Sequence, residues 1–140
     1  MERATLLSLT LCICSSSVAT TWTVDDDGKA DFQRIQDAID ASSDMDVIFV
    51  HEGTYYENIN FLGKWIQVQG ENQATTIIDG GLNNAPVVTF NSGETFWSVL
   101  STFTIQNGSA TDGGAINCWS SSPTIINCVF RDNVAEAFGG

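Results

Sequence analysis

Two short stretches, Val99-Leu-Ser-Thr-Phe-Thr-Ile105 and Thr124-Ile-Ile-Asn-Cys-Val-Phe130, decide how this chain folds. Leu100, Phe103 and Ile105 map onto Ile125, Cys128 and Phe130 at one common offset, and Gly113-Gly114 returns as Gly139-Gly140 at nearly the same one. A period of about 25 residues marks a solenoid, in which each repeat is one turn of a coil that buries its apolar face only by stacking on its neighbours. Inside the second copy the apolar parity changes, because Ile125 is odd whereas Cys128 and Phe130 are even. The chain must therefore bend near Asn127, a residue type that tolerates the left-handed backbone of a corner. Short strands separated by corners, with equivalent strands of successive turns pairing in parallel, make a β-helix.

Upstream of that repeat the same texture continues. Thr21 to Val24, Val47 to Val50, Ile59 to Phe61, Trp65 to Gln69, Thr76 to Ile78, Val87 to Phe90 and Ala115 to Cys118 are short β-prone runs between Gly, Asn, Asp and Ser corners. One segment differs. In Asp31-Phe-Gln-Arg-Ile-Gln-Asp-Ala-Ile-Asp-Ala41, the residues Phe32, Ile35, Ala38 and Ile39 recur at helical spacing, with Asp31 placed as the cap and Gln36 on the opposite, tolerant face. A helix at the start of a solenoid covers the first turn, which would otherwise expose core and strand edges.

The 140 residues hold five Lys plus Arg against seventeen Asp plus Glu, a formal charge of −12, which excludes the basic stripe that nucleic acid or an anionic membrane surface requires. At 43% hydrophobic and 16% charged, the chain is too apolar to be disordered. Residues 1–19 read as a secretory signal peptide: an apolar run from Ala4 to Cys14, then small residues ending in Ser17-Val18-Ala19. The run is too short to span a bilayer, which takes about 20 apolar residues. Residues 20–140 are then a secreted or cell-surface β-helix domain. Its two cysteines, Cys118 and Cys128, either pair or stay buried as small hydrophobes, since spacing does not decide between the two.

Three blocks carry a resemblance to a known family: Thr23-Val-Asp-Asp-Asp-Gly28, Asp31-Phe-x-x-Ile-Gln-Asp-Ala-Ile-Asp40, and Val47-Ile-Phe-Val-x-x-Gly-Thr-Tyr-Tyr-Glu-Asn-Ile59. Together they resemble the N-terminal module of secreted proteins of the pectin lyase-like superfamily, and Ser121-Ser-Pro-Thr-Ile-Ile-Asn-Cys-Val-Phe130 resembles their repeated rungs. The resemblance implies an all-β, right-handed parallel β-helix with an N-terminal amphipathic capping helix, here incomplete at its C-terminal end. It extends to pectin methylesterases, which carry a glutamine before an Ala-Val-Ala-Leu-like strand and a Gln-Asp pair after the next Cys-x-Phe strand. The matching positions here are Gly114, Val134 and Ala135, and none of the three can stabilise an oxyanion or move a proton. A lyase of this superfamily would need a calcium-binding acidic cluster and a base, for which Asp112, Asp132 and Arg131 are the residues at hand.

Other candidates have plain readings. Asp25-Asp26-Asp27-Gly28 lacks the ligand spacing of a calcium loop and reads as a solvated turn, and Asp79-Gly80-Gly81 reads as a corner. His51 has no accompanying nucleophile motif, and Asn107-Gly-Ser109 is a glycosylation sequon. The functional lead lies in two aromatics on adjacent turns, Trp97 and Trp119, expected to be exposed and able to stack sugar rings. The expected role is a non-catalytic scaffold that binds an extracellular polysaccharide or cell-surface glycan, without a required cofactor, calcium being the one candidate ion. The alternative is a polysaccharide lyase or hydrolase with its catalytic rungs beyond Gly140.

Overall fold

A computed structural model describes residues 18–138; the signal-peptide reading falls, apart from Val18 and Ala19, outside them. The chain is an all-β solenoid of about five turns with a single short helix, a right-handed parallel β-helix. The largest sheet stacks β1 (Thr21–Val24), β2 (Val47–Val50), β5 (Gln67–Gly70), β8 (Val99–Ser101) and β12 (Thr124–Ile126). A second stacks β3 (Gly53–Tyr56), β6 (Thr76–Asp79), β9 (Thr104–Gln106) and β13 (Val129–Arg131), and a third stacks β4 (Ile59–Asn60), β7 (Val88–Phe90) and β11 (Ile116–Cys118). In the last two turns β10 (Ser109–Asp112) and β14 (Val134–Phe138) add a two-stranded ladder. The pairings are parallel, and in the largest sheet each turn lies in register on the one before, whereas the β10–β14 ladder shifts register between Ala110 and Asp112.

Register explains the core. Ile48, Val68, Leu100 and Ile125 lie in one column of the largest sheet, while Tyr55, Ile78 and Ile105 form the matching column of the second. Phe61 and Phe90 stack in the interior with ring centroids 4.4 Å apart. The common offset read from the sequence is the pairing of β8 with β12 and of β9 with β13. The bend at Asn127 is present as a left-handed residue, φ 52°, and Thr102, one turn earlier, occupies the same corner at φ 65°. A β-branched residue there is strained, and the stacked corner above, where the Thr102 amide donates to the Ile126 carbonyl at 3.1 Å, holds it in place. Each of the runs Val99 to Ile105 and Thr124 to Phe130 is thus two strands rather than one, and β3, β10 and β14 were not legible as strands at all.

The capping helix forms, but it is shorter than its periodicity predicts. Helix α1 spans Ile35–Ala41 and buries Ile35, Ala38 and Ile39 completely. Asp31 does not cap it: its carboxylate accepts from the Thr23 amide at 2.9 Å and the Thr23 hydroxyl at 2.7 Å. Phe32 is extended, bridged to Val24, and its ring meets Trp22 edge-on at 5.5 Å. The helix begins at Ile35 because the buried Glu57 carboxylate reaches across and accepts from the Ile35 and Gln36 amides at 2.8 and 3.0 Å. A distant side chain thus satisfies the first amides that a helix leaves without internal partners. Gln36 is not a tolerant surface position either, since it donates to the Asn60 carbonyl at 3.2 Å and accepts from the Asn60 amide at 2.8 Å.

Glu57 belongs to the Gly-Thr-Tyr-Tyr-Glu-Asn block, and its neighbours are equally structural. A side chain at Gly53 would meet the Asp26 carboxylate at 2.7 Å, the Tyr55 ring is buried while Tyr56 faces solvent, and Asn58 donates to the Pro86 carbonyl at 2.8 Å. Glu57→Ala would strip the partners from two amides at the buried face of α1. We expect a loss of about 2–3 kcal/mol of unfolding free energy, with Glu57→Gln losing less because its amide oxygen still accepts. Chemical denaturation of the two variants checks this; equal stability of Glu57→Ala and the parent would mean that the helix start is held by other contacts.

Candidate functional site

The turns that lead into the largest sheet stack as tightly as the strands. Pairing of Val47 with Gln67 and of Gln67 with Val99 places Met45, Trp65 and Trp97, each two positions earlier, in one column on successive turns. The Met45 amide donates to the Trp65 carbonyl at 2.8 Å, and the Trp65 amide donates to the Asp44 carboxylate at 2.9 Å. Lys64 crosses back to the end of α1, where its ammonium donates to the carbonyls of Ile39, Asp40 and Ser42 at 2.6, 3.0 and 2.8 Å. That is where a helix dipole favours a cation. The Ser98 hydroxyl donates to the Lys64 carbonyl at 2.8 Å and fastens the turn of β8 onto that of β5.

Buried Glu94 completes the foundation. It accepts from the Gly63 amide at 2.8 Å, the Ser92 amide at 2.9 Å and the Ser121 hydroxyl at 2.7 Å, so it joins three successive turns. Burial works against its charge, but these donors outweigh burial and hold its pKa below the ordinary glutamate value. Its contribution is present above that ordinary value and is lost as pH falls through the lowered one.

On this base Met45, Trp65 and Trp97 stand 66%, 46% and 60% exposed, and with Gln67 they line a cavity of about 330 Å³. Trp97 is exposed, as expected from sequence, and packs on Phe96 at 4.6 Å with a 37° tilt. Trp119 is also exposed, at 73%, but it directly follows β11, at the start of the segment that leads into β12, its amide donating to the Phe90 carbonyl, and it is not among the residues that line the cavity. Trp97 is thus brought together with Trp65 and Met45. Trp65 was hidden in the sequence because it reads as the first residue of a strand; its place, two positions before Gln67 as Trp97 is before the paired Val99, was the signal that the two match.

The remaining candidates separate. Asp112 and Asp132 are exposed, Asp132 at a left-handed corner, and Arg131 donates to Gln106 at 2.7 Å; no cluster of three metal-ligating side chains forms among the described residues. His51 pairs with Glu71 at 3.1 Å and packs edge-on against Phe49. Asp79 accepts from Gln106, Asn107 and the Gly81 amide, which makes it a corner anchor. Cys118 and Cys128 are free thiols, both shifted upward by burial. Gly114 lies beneath β14, where a Cβ would sit 2.1 Å from the Val134 carbonyl oxygen.

The fold is similar to that of a solved pectin methylesterase from carrot, with a TM-score of 0.63 over 81% of this chain and 40% of the carrot enzyme at 23% identity. The two share the parallel β-helix fold. A stretch of 69 residues of the chain is 38% identical to probable pectinesterase/pectinesterase inhibitor 17 of Arabidopsis thaliana, covering 47% of the chain and 14% of the plant protein. No protein-family model matches it. The chain spans less than half the length of either protein. Among its described residues no helix is long and apolar enough to cross a membrane.

Proposed function

We propose that this chain is a non-catalytic, secreted or cell-surface module that binds polysaccharide through exposed tryptophans on a pectin lyase-like coil. The observation that carries the reading is the exposed column of Met45, Trp65 and Trp97 on rigidly fastened turns. Indole faces exposed at fixed positions stack on the C–H faces of sugar rings, and their rigidity keeps the entropic cost of binding low. The positions that would carry esterase chemistry hold Gly114, Val134 and Ala135, which lack both oxyanion donors and acid or base groups. Trp119 provides a second, separate contact further along the coil.

The net charge of −12 opposes uronate-rich polymers, so the polysaccharide is neutral. Affinity electrophoresis through gels containing a neutral polysaccharide or polygalacturonate tests the reading. We expect retardation by the neutral polymer alone. Trp97→Ala and Trp119→Ala should each weaken retention while keeping the parent's circular dichroism, with about 1 kcal/mol, or roughly fivefold, lost at Trp97. Calcium-dependent retention by polygalacturonate would overturn the proposal and make Asp112 and Asp132 the first residues to replace.

A further inference from the structure

We infer that the cavity between Trp65 and Trp97 grips one sugar ring from both sides and so selects a neutral chain of gluco or xylo configuration over a galacto one. The inference rests on the reading of this face as a glycan site and narrows it to a class of sugar. Positions in register on adjacent parallel turns lie about 4.8 Å apart, so two indoles in one column can close flat on each other. Here Trp97 packs on Phe96, the aromatic pairs among the described residues do not include Trp65 with Trp97, and about 330 Å³ stays open between the two indoles, Met45 and Gln67. That is the lower end of the range of small-molecule sites, about 300–1,000 Å³.

The polar chemistry of the slot is that of a hydroxyl reader. Gln67 is exposed, and its side-chain amide has no hydrogen-bond partner among the described residues. It offers both donors and an acceptor, which suits a hydroxyl group that is itself both. Charge points the same way. Lys64, next to Trp65, is committed to three carbonyls, and the other described cations are also engaged: Lys29 with Asp27, Arg34 with Glu57 and Asp37, and Arg131 with Gln106. The Asp44 carboxylate lies against the Trp65 backbone. A uronate would meet negative charge here, with each described lysine and arginine already engaged elsewhere.

Configuration follows from having an indole on each side. A pyranose with all its hydroxyls equatorial shows C–H groups on both faces and can lie between two aromatic surfaces. An axial hydroxyl at C4 turns one face polar, and pressing it against indole would leave that hydroxyl desolvated and unpaired. One-sided stacking carries no such restriction.

Isothermal titration of the chain with cellohexaose, xylohexaose, a β-1,3-galacto-oligosaccharide, whose axial C4 hydroxyls are free, and oligogalacturonate tests the inference, with nitrogen-correlated NMR of the tryptophan indole N–H groups reporting which rings respond. We expect cellohexaose or xylohexaose to bind and to shift the Trp65 and Trp97 signals. The galacto-oligosaccharide should bind at least tenfold more weakly, and oligogalacturonate should not bind. Trp65→Ala and Trp97→Ala should each cost about fivefold, the Phe replacements less, and Trp119→Ala should leave the gluco-to-galacto ratio unchanged. Equal affinity for gluco and galacto chains, still dependent on Trp97, would overturn the two-sided grip and leave the glycan-binding reading standing. Failure of every neutral glycan to bind the folded parent would overturn that reading itself. Should the Ala variants unfold, the parent's indole shifts still decide: binding without movement of both signals overturns the grip.

Discussion

Ile35→Asp is expected to remove most of the stability of the N-terminal end of the coil. Ile35 is fully buried on the face of α1, packed with Ala38 and Ile39 over the first turn, and its amide is one of the two that Glu57 holds. A carboxylate there loses its water without gaining a partner, and Glu57 itself stands close by as a second negative charge. We expect a loss of about 3–5 kcal/mol, the range of an unpaired buried charge. The comparison variant is Asp37→Ala, since Asp37 is exposed and its pairing with Arg34 at 3.8 Å is a surface contact. It should change stability by no more than about 0.5 kcal/mol. Thermal unfolding of the two checks the assignment, and a near-normal Ile35→Asp would mean that α1 does not seal the coil.

Gly114→Gln should be nearly as damaging, and it separates the scaffold from the chemistry of its relatives. The substitution installs the residue type that the resemblance to methylesterases places before this strand. In this chain the backbone of β14 passes directly over the position: a Cβ would lie 2.1 Å from the Val134 oxygen and 2.7 Å from its carbonyl carbon. Neither backbone atom can yield as a flexible side chain would, so the last turn must lift away. We expect about 3 kcal/mol of destabilisation, loss of hydrogen-exchange protection over β13 and β14, and no release of methanol from esterified pectin. Native protection at Val134 together with a soluble, stable variant would show that β14 does not rest on Gly114.

Part of this architecture was readable because in-register stacking imposes equal spacing. Leu100 to Ile125 and Ile105 to Phe130 share an offset since β8 with β12, and β9 with β13, are adjacent rungs. The earlier turns concealed the same rule, because the chain from Val47 to its partner Gln67 is shorter than that shared offset and the chain from Gln67 to Val99 is longer. Segments of unequal length bulge outward while the strands stay aligned, and an offset search finds no common number. The cap was misread for a related reason. Asp31 precedes an apolar periodicity as a local cap would, yet the partner of the helix amides, Glu57, lies far beyond Ile35 in sequence and reaches it only across the coil. Trp97 was legible as an exposed aromatic because it sits in a polar stretch. Trp65 was not, because only the register with Val99 turns a residue at the head of a strand run into half of a slot.

The unequal turns carry a mechanical consequence. Each turn is hydrogen-bonded only to the turns before and after it, so tension applied to the C-terminal end loads one parallel ladder at a time and unzips the coil as a series of separate ruptures. Successive ruptures release the chain stored between paired residues, first from Thr124 back to Val99, then from Val99 to Gln67, then from Gln67 to Val47. At about 3.5 Å per extended residue these are steps of roughly 90, 110 and 70 Å. The molecule is thus a tether whose extension pattern is written in its turn lengths, with the tryptophan column parting at the middle steps and α1 sealing the end that parts last.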